Sequence, residues 1–190
     1  MIANHHAEDS FAGRIFSASG VSVSRCYQCG KCTAGCPLAR EMDLMPSQIM
    51  RLLQLGPDDF EDEILGSYAP WVCLTCETCY ARCPQEVDLP KMMDYLRTES
   101  ARRKKVNHKA ADILKFHRAF LDSIRYTGRL YEIGLIAGYK ARTLHLMQDV
   151  LMAPKLLFLG KLKPFPHPVK NRKDLSRIFR RSRENKEAAG

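Results

Sequence analysis

Nothing in this chain of 190 residues reads as a membrane span. The best candidate, Val150 to Leu159, is interrupted by Pro154 and Lys155 and is too short to cross a bilayer, so no integral membrane segment is expected. No apolar leader opens the sequence, which argues against a secreted, disulfide-stapled protein. Hardly any segment alternates apolar and polar residues with period two, so the expected fold class is mostly α rather than β-rich. No Ser/His/Asp or flavin-binding constellation is visible, and no catalytic residue is assigned. Lysine and arginine are plentiful, with runs at Arg102 to Lys105 and at Arg180, Arg181 and Arg183. No RNP, zinc-finger or basic-zipper pattern accompanies them, so they read as solvated faces and no nucleic-acid partner is expected. No lipidation motif supports a membrane-surface role either.

What is there is cysteine, in two runs of one grammar. The first is Cys26-x-x-Cys29-x-x-Cys32-x-x-x-Cys36-Pro37, and the second is Cys73-x-x-Cys76-x-x-Cys79-x-x-x-Cys83-Pro84. These runs use all eight cysteines. Three thiolates spaced three residues apart on one tight stretch of backbone suit three irons of a cubane. The fourth, set off by three residues and followed by a proline that turns the chain, points elsewhere. This is how two-cluster ferredoxins hold a pair of [4Fe–4S] clusters, each fourth cysteine serving the other cluster. The expected ligand sets are Cys26, Cys29, Cys32 and Cys83 for the first cluster, and Cys73, Cys76, Cys79 and Cys36 for the second. Two rival readings fit less well. Zinc sites pair two C-x2-C units and need four ligands in all, and a thioredoxin-type C-x-x-C occurs once beside a βαβ pattern. Reduced, cluster-bound cysteines imply a cytoplasmic setting, low in oxygen.

Charge divides the chain. Residues 1–105 hold 12 Lys/Arg against 14 Asp/Glu, a net of −2, and residues 106–190 hold 18 against 7, a net of +11. Each oxidised cubane with its four thiolates adds two negative charges, which takes the cluster part to about −6. That polarity suits docking against acidic protein surfaces.

Organisation follows from breakers and periodicity. Residues 1–20 are polar and read as a mobile arm, in which His5 and His6 are incidental. Ile49, Leu52, Leu53 and Gly56 share one face of a helix opened by Pro46 and closed by Gly56-Pro57. Asp58 to Leu65 reads as a short acidic helix, and Pro90 starts another that runs through Lys105. Val106, Ala110, Ile113, Leu114, His117, Leu121 and Ile124 repeat at helical spacing up to Gly128. A last long helical pattern covers Arg129 to Leu151, with Gly134 and Gly138 weakening it. His108, His117 and His145 lie in these patterns and read as packing or surface residues. The alternate prolines of Lys163 to Pro168 require extended chain. Asp174 to Arg183 suits a terminal amphipathic turn or two, followed by a polar tail. The 36 residues between Cys36 and Cys73 are a helical insert, longer than a small bacterial-type ferredoxin has. The expected domains are thus the arm 1–20, an α-helical ferredoxin with two clusters over 21–105, and a basic helical extension and tail over 106–190. Gly30 and Gly35 either let backbone N–H groups approach the sulfides or serve turns. The small Thr33, Ala34, Thr75 and Ala81 suit close packing around the clusters.

The run Cys26-Tyr27-Gln28-Cys29-Gly30-Lys31-Cys32-Thr33-Ala34-Gly35-Cys36-Pro37, the helix ending at Gly56, and Trp71-Val72-Cys73-Leu74-Thr75-Cys76 resemble the C-type subunit of heterodisulfide reductase. The resemblance is specific over about residues 20–100. It is similar in module, though not in extent, to two other groups. Succinate dehydrogenase and fumarate reductase subunits add a plant-type [2Fe–2S] domain whose cysteines are missing here. Anaerobic glycerol-3-phosphate dehydrogenase adds further cysteine-rich domains. The resemblance implies a non-catalytic electron-transfer subunit of a soluble oxidoreductase complex. Its partners would be a flavin- and cluster-rich A-type subunit and a disulfide-reducing B-type subunit. The alternatives are an iron–sulfur relay for another dehydrogenase or a quinone-linked complex, or a nucleic-acid-binding iron–sulfur protein.

Overall fold

The computed structural model describes residues 10–56, 59–144, 152–160, 165, 166, 169 and 172–188. Among the described residues there is helix and turn but no strand, so the fold is mostly α as the missing period-two alternation predicts. The chain divides into two compact units, residues 1–111 and 112–190.

Among its described residues the first unit has seven α-helices: α1 (Phe11–Ser19), α2 (Lys31–Ala34), α3 (Pro46–Leu55), α4 (Asp59–Gly66), α5 (Ala69–Val72), α6 (Thr78–Ala81) and α7 (Leu89–Arg102). Helix α3 starts at Pro46, whose missing N–H is no loss in a first turn, and stops at a left-handed Gly56. Helix α7 is capped by Asp88, whose carboxylate accepts from the Lys91 amide at 3.1 Å. Helix α7 is the spine, with α1, α4, α5 and α6 packed on it, while α1, α2 and α4 also lie on α3. Ile15, Ile49, Met50, Ile64, Leu65, Met92, Met93 and Leu96 are fully buried at these crossings. Each contributes about 2 kcal/mol of burial.

The N-terminal arm is not what the sequence suggests. Residues 10–20, assigned to a mobile arm, form α1, capped by Ser10 and closed by the left-handed Gly20. Phe11 and Ile15, four residues apart, put one helix face into the core. Arg14 on the same helix forms an ion pair with the buried Glu61 of α4 at 2.6 Å. Composition hid this helix, because its exposed positions are Phe16, Ser17 and Ala18 and carry no charged face. His5 and His6 lie outside the described residues.

The second unit contains α8 (Ala111–Thr127), α9 (Glu132–Thr143), α10 (Met152–Phe158) and α11 (Arg172–Ala188). Helices α8 and α9 fold back on one another. Phe116 meets Tyr139 edge-on at 5.9 Å, Arg142 donates to Asp122 at 2.6 Å, and the Tyr131 amide donates to the Ser123 hydroxyl at 3.0 Å. The helix expected to run from Arg129 to Leu151 ends early, at a left-handed Leu144. Residues 145–151, with His145, lie outside the described residues, as does most of the proline segment. The terminal helix is longer than expected and reaches Ala188.

Candidate metal centre

The two cysteine runs are one backbone motif used twice. Every cysteine of the second lies 47 residues after its counterpart in the first, as Cys73 does after Cys26. Each run begins as a helical turn ends. The Cys26 amide donates to the Val23 carbonyl at 3.2 Å, and the Cys73 amide donates to that of Ala69 at 3.2 Å. Each then passes through two left-handed residues, Gln28 (φ 61°) and Gly30 (φ 74°) in the first run, Thr75 (φ 49°) and Glu77 (φ 59°) in the second. Each re-enters a single helical turn, α2 or α6, that carries the third cysteine. The turn closes with the Cys36 amide donating to Thr33 at 3.1 Å and the Cys83 amide to Tyr80 at 2.9 Å. Two left-handed residues in such a short span curl the loop so that its cysteines face one centre. A β-branched Thr75 at positive φ costs on the order of 1 kcal/mol or more, which the surrounding fold must hold in place.

Helices α2 and α6 pack against each other, and the two runs meet there. A Cβ at Gly35 would stand 2.7 Å from the Arg82 side chain, so glycine makes room for its own counterpart in the other run. The same approach brings thiols of the two runs together. Cys36, Cys73, Cys76 and Cys79 line one cavity, and Pro37, Leu38, Met42, Pro46, Leu89 and Met93 complete much of its apolar wall. On the other side, the charges of Cys83 and Cys29 both act on Cys26, and that of Cys26 acts on Cys32. Cys29 and Cys76, again counterparts, are exposed, and the other six thiols are half-buried.

Burial pushes the thiols of Cys26, Cys32, Cys73 and Cys79 up, Cys79 to about 11 with the charge of Cys73 adding to it. Against that, the Arg97 guanidinium draws Cys73 down. The Thr78 hydroxyl and amide, hydrogen-bonded to Cys76, lower that thiol. Four mutually repelling thiolates in an apolar wall ask for a compact cation core to neutralise them. Metal loading must therefore release protons. Among the described residues no three His, Cys, Asp or Glu side chains close tightly enough around a single metal ion. A cubane presents its irons at separate corners and takes a wider ring of soft thiolates, so the donor set and its spacing fit an iron–sulfur cluster rather than zinc.

The supports of this geometry are not cysteines. Asp43 accepts from the amides of Tyr68 at 2.6 Å and Ala69 at 3.0 Å, fixing the start of α5 and hence the approach to Cys73. Thr33, expected to serve only by being small, accepts from the Ser47 amide at 2.9 Å and ties α2 to α3. Gln54 donates to the carbonyls of Val23 at 3.2 Å and Cys26 at 2.5 Å. Arg97 donates to those of Pro70 and Cys73, both at 2.9 Å. Sequence reasoning missed Asp43, Gln54 and Arg97. Only their charge or amide character within the helical insert and α7 could have flagged them.

Residues 22–87 match the family model described as a 4Fe-4S dicluster domain. Among curated proteins, the chain is similar to C-type iron–sulfur subunits of heterodisulfide reductases from methanogens. It is 42% identical over 83 residues to that of the CoB–CoM heterodisulfide reductase of Methanopyrus kandleri, covering 44% of this chain and 42% of that protein. It is 34% identical over 102 residues to that of the H(2):CoB-CoM heterodisulfide,ferredoxin reductase of Methanothermobacter thermautotrophicus, covering 54% of each. It is 36% identical over 94 residues to one from the CoB–CoM heterodisulfide reductase of Methanocaldococcus jannaschii, covering 48% of each. The chain spans about half the length of the curated relatives it matches. No helix among the described residues is long and apolar enough to cross a membrane. With a mostly α frame around paired cysteine runs, the chain carries a segment similar to 4Fe-4S dicluster domains and, over about half its length, to the C-type iron–sulfur subunits of heterodisulfide reductases.

Proposed function

We propose that the chain is the electron-transfer subunit of a heterodisulfide-reductase-type complex and holds two [4Fe–4S] clusters. Cys26, Cys29, Cys32 and Cys83 hold one, and Cys73, Cys76, Cys79 and Cys36 hold the other. The observation that carries this reading is the cavity lined by three thiols of the second run and the fourth thiol of the first. When bound, the clusters supply one-electron oxidation and reduction. The chain's own residues do the rest. The left-handed loops aim the thiolates, the apolar wall excludes water, and the contact at Gly35 and Arg82 keeps the two sites close. Tyr27 and Leu74, counterparts in the two runs, stand 56% and 64% exposed beside the exposed Cys29 and Cys76. Each site therefore has an accessible edge with an apolar residue on it. One edge suits a flavin- and cluster-bearing A-type donor and the other a B-type subunit that reduces a disulfide.

All eight thiols are committed in this reading, and none is free to attack a substrate sulfur. The chain therefore has no active site of its own. The test is an anaerobic assay with a low-potential dye as donor and candidate heterodisulfides as acceptors. Turnover is expected only after a B-type subunit is added. Disulfide reduction by the chain alone, at the rate of the complex, places the active site here and overturns the proposal.

A further inference from the structure

Gln54 and Arg97 occupy the same place in the two halves of the repeat. Val23 and Cys26 in the first run are the counterparts of Pro70 and Cys73 in the second, 47 residues on. Gln54 of α3 clamps the first carbonyl pair and Arg97 of α7 clamps the second. Both clamps hold the turn that delivers the leading cysteine. One is neutral and the other carries a full positive charge at every accessible pH. The Arg97 side chain is 23% exposed, so its field is only partly screened by water.

Other groups around the two sites are closer to balance. Neutral hydrogen bonds to ligand sulfur occur at both sites: the Gln28 side-chain amide lies 3.7 Å from Cys26 and the Val87 amide reaches Cys83 at 3.4 Å in the first, and the Thr78 hydroxyl lies 3.4 Å from Cys76 in the second. Lys31 in the first loop and Glu77 in the second act in the opposite sense to Arg97, but both are exposed and their fields are screened. Asp94 pairs with Arg97 at 2.7 Å from the solvent side, where it is 58% exposed, and offsets part of the charge.

A fixed cation beside a cluster stabilises its reduced, more negative form and so raises its reduction potential. We propose that Arg97 makes the site of Cys73, Cys76, Cys79 and Cys36 the higher-potential member of the pair, and Gln54 leaves the site of Cys26, Cys29, Cys32 and Cys83 the lower. An electron arriving at the Cys26 run then passes to the Cys73 run, the first site losing one electron, the second gaining it, with no proton moved. With both clusters bound, the pair would favour the electron on the Cys73 side, which suits donor docking at the Tyr27 edge and acceptor docking at the Leu74 edge. Arg97 is a positioning residue with an electrostatic role, and the inference rests on the two-cluster reading above.

Redox titration of the full chain, purified anaerobically and followed by electron paramagnetic resonance, tests it. Iron and sulfide content is measured on every variant, so that failure of the two-cluster reading is seen separately. Wild type is expected to titrate in two waves. Arg97→Gln lowers the upper wave toward the other, Arg97→Lys leaves it near its original position, and Gln54→Arg raises the lower wave. Asp94→Asn, an exposed change that leaves both clamps in place, raises the upper wave alone. A purely structural clamp would show Arg97→Lys behaving like Arg97→Gln, with Asp94→Asn silent. Two full clusters titrating in a single wave, or an upper wave unmoved by both Arg97→Gln and Asp94→Asn, overturns the inference. If Arg97→Gln loses iron, Asp94→Asn and Gln54→Arg decide it alone.

Discussion

The N-terminal unit buries Ile15, Ile49, Ile64, Met92 and Leu96 completely, whereas the described residues of the C-terminal unit that are buried are small: Ala119, Ser123 and Thr143. In the C-terminal unit Phe116, Leu121, Tyr126, Leu144, Phe158 and Ile178 are between 42% and 91% exposed. Both units are helical, and the difference lies in what their helices find to pack on. In the first, α7 offers a central surface on which α1, α4, α5 and α6 converge. In the second, amphipathic faces remain exposed among the described residues, in a unit that holds 17 Lys/Arg against 7 Asp/Glu, a net charge of +10. Exposed apolar surface amid like charge is what a docking element carries. The comparison places all eight cysteines in the well-packed first unit and leaves the exposed apolar surface of the second as a candidate docking element in addition to the Tyr27 and Leu74 edges.

The largest effect is expected inside the first unit. Cys36→Ala removes the thiol that the first run sends into the cavity with Cys73, Cys76 and Cys79. Iron should fall from about eight to about four per chain, the surviving signal being that of the Cys26 site. Cys83→Ala should spare the opposite signal. If Cys36→Ala instead destroys the Cys26 site, the ligand sets are not exchanged between the runs.

Deleting residues 164–190 sharpens the comparison from the other side. It removes α11 and its basic residues but none of the eight cysteines. Iron, sulfide and both redox waves should be retained, while co-elution with A- and B-type subunits weakens, the loss growing with salt. Loss of iron in this variant would mean that the units depend on each other.

The cysteine grammar and the breakers were readable in the sequence because each acts locally. Pro46 and Gly56 bound α3, and the end of α8 before Gly128 follows the helical spacing. Helix α1 was not legible, because its two apolar anchors, Phe11 and Ile15, become meaningful only when α3 and α7 supply a surface for them. The clamps were hidden by register. Gln54 lies 28 residues after Cys26, but Arg97 lies 24 after Cys73, so no fixed offset relates them. Their equivalence is three-dimensional, made by helices that start at different distances from their runs.

Acid should act on the first unit at a definite place. Glu99, a buried residue, accepts from Arg102 at 2.7 Å and Arg103 at 2.5 Å, and the Arg102 bond chiefly holds its carboxyl down at about 2. A depressed carboxyl contributes stability that is complete above its unfolded value near 4.5 and is lost as pH falls from there through 2. Glu99→Gln should cost on the order of 2 kcal/mol at neutral pH and flatten that acid limb, as read by helical circular dichroism of the loaded protein. An unchanged limb would place the acid sensitivity elsewhere, such as on the cluster ligands.

The smallest effect belongs to Asp43. Its carboxylate is exposed, so its value lies in the two amides it caps at the start of α5. Asp43→Ala leaves the Tyr68 and Ala69 N–H groups to water, a loss of about 1 kcal/mol typical of a helix cap. Because α5 runs directly into Cys73, the loosening should be felt by the second cysteine run and not by the first, whose start at Val23 is held by Gln54. Two measurements separate these possibilities. The unfolding midpoint of the N-terminal unit should drop by a few degrees, while transitions of the C-terminal unit stay in place. Iron release to a chelator should accelerate for the Cys73 site alone. Equal acceleration at both sites would show that Asp43 supports the unit as a whole and not the second run in particular.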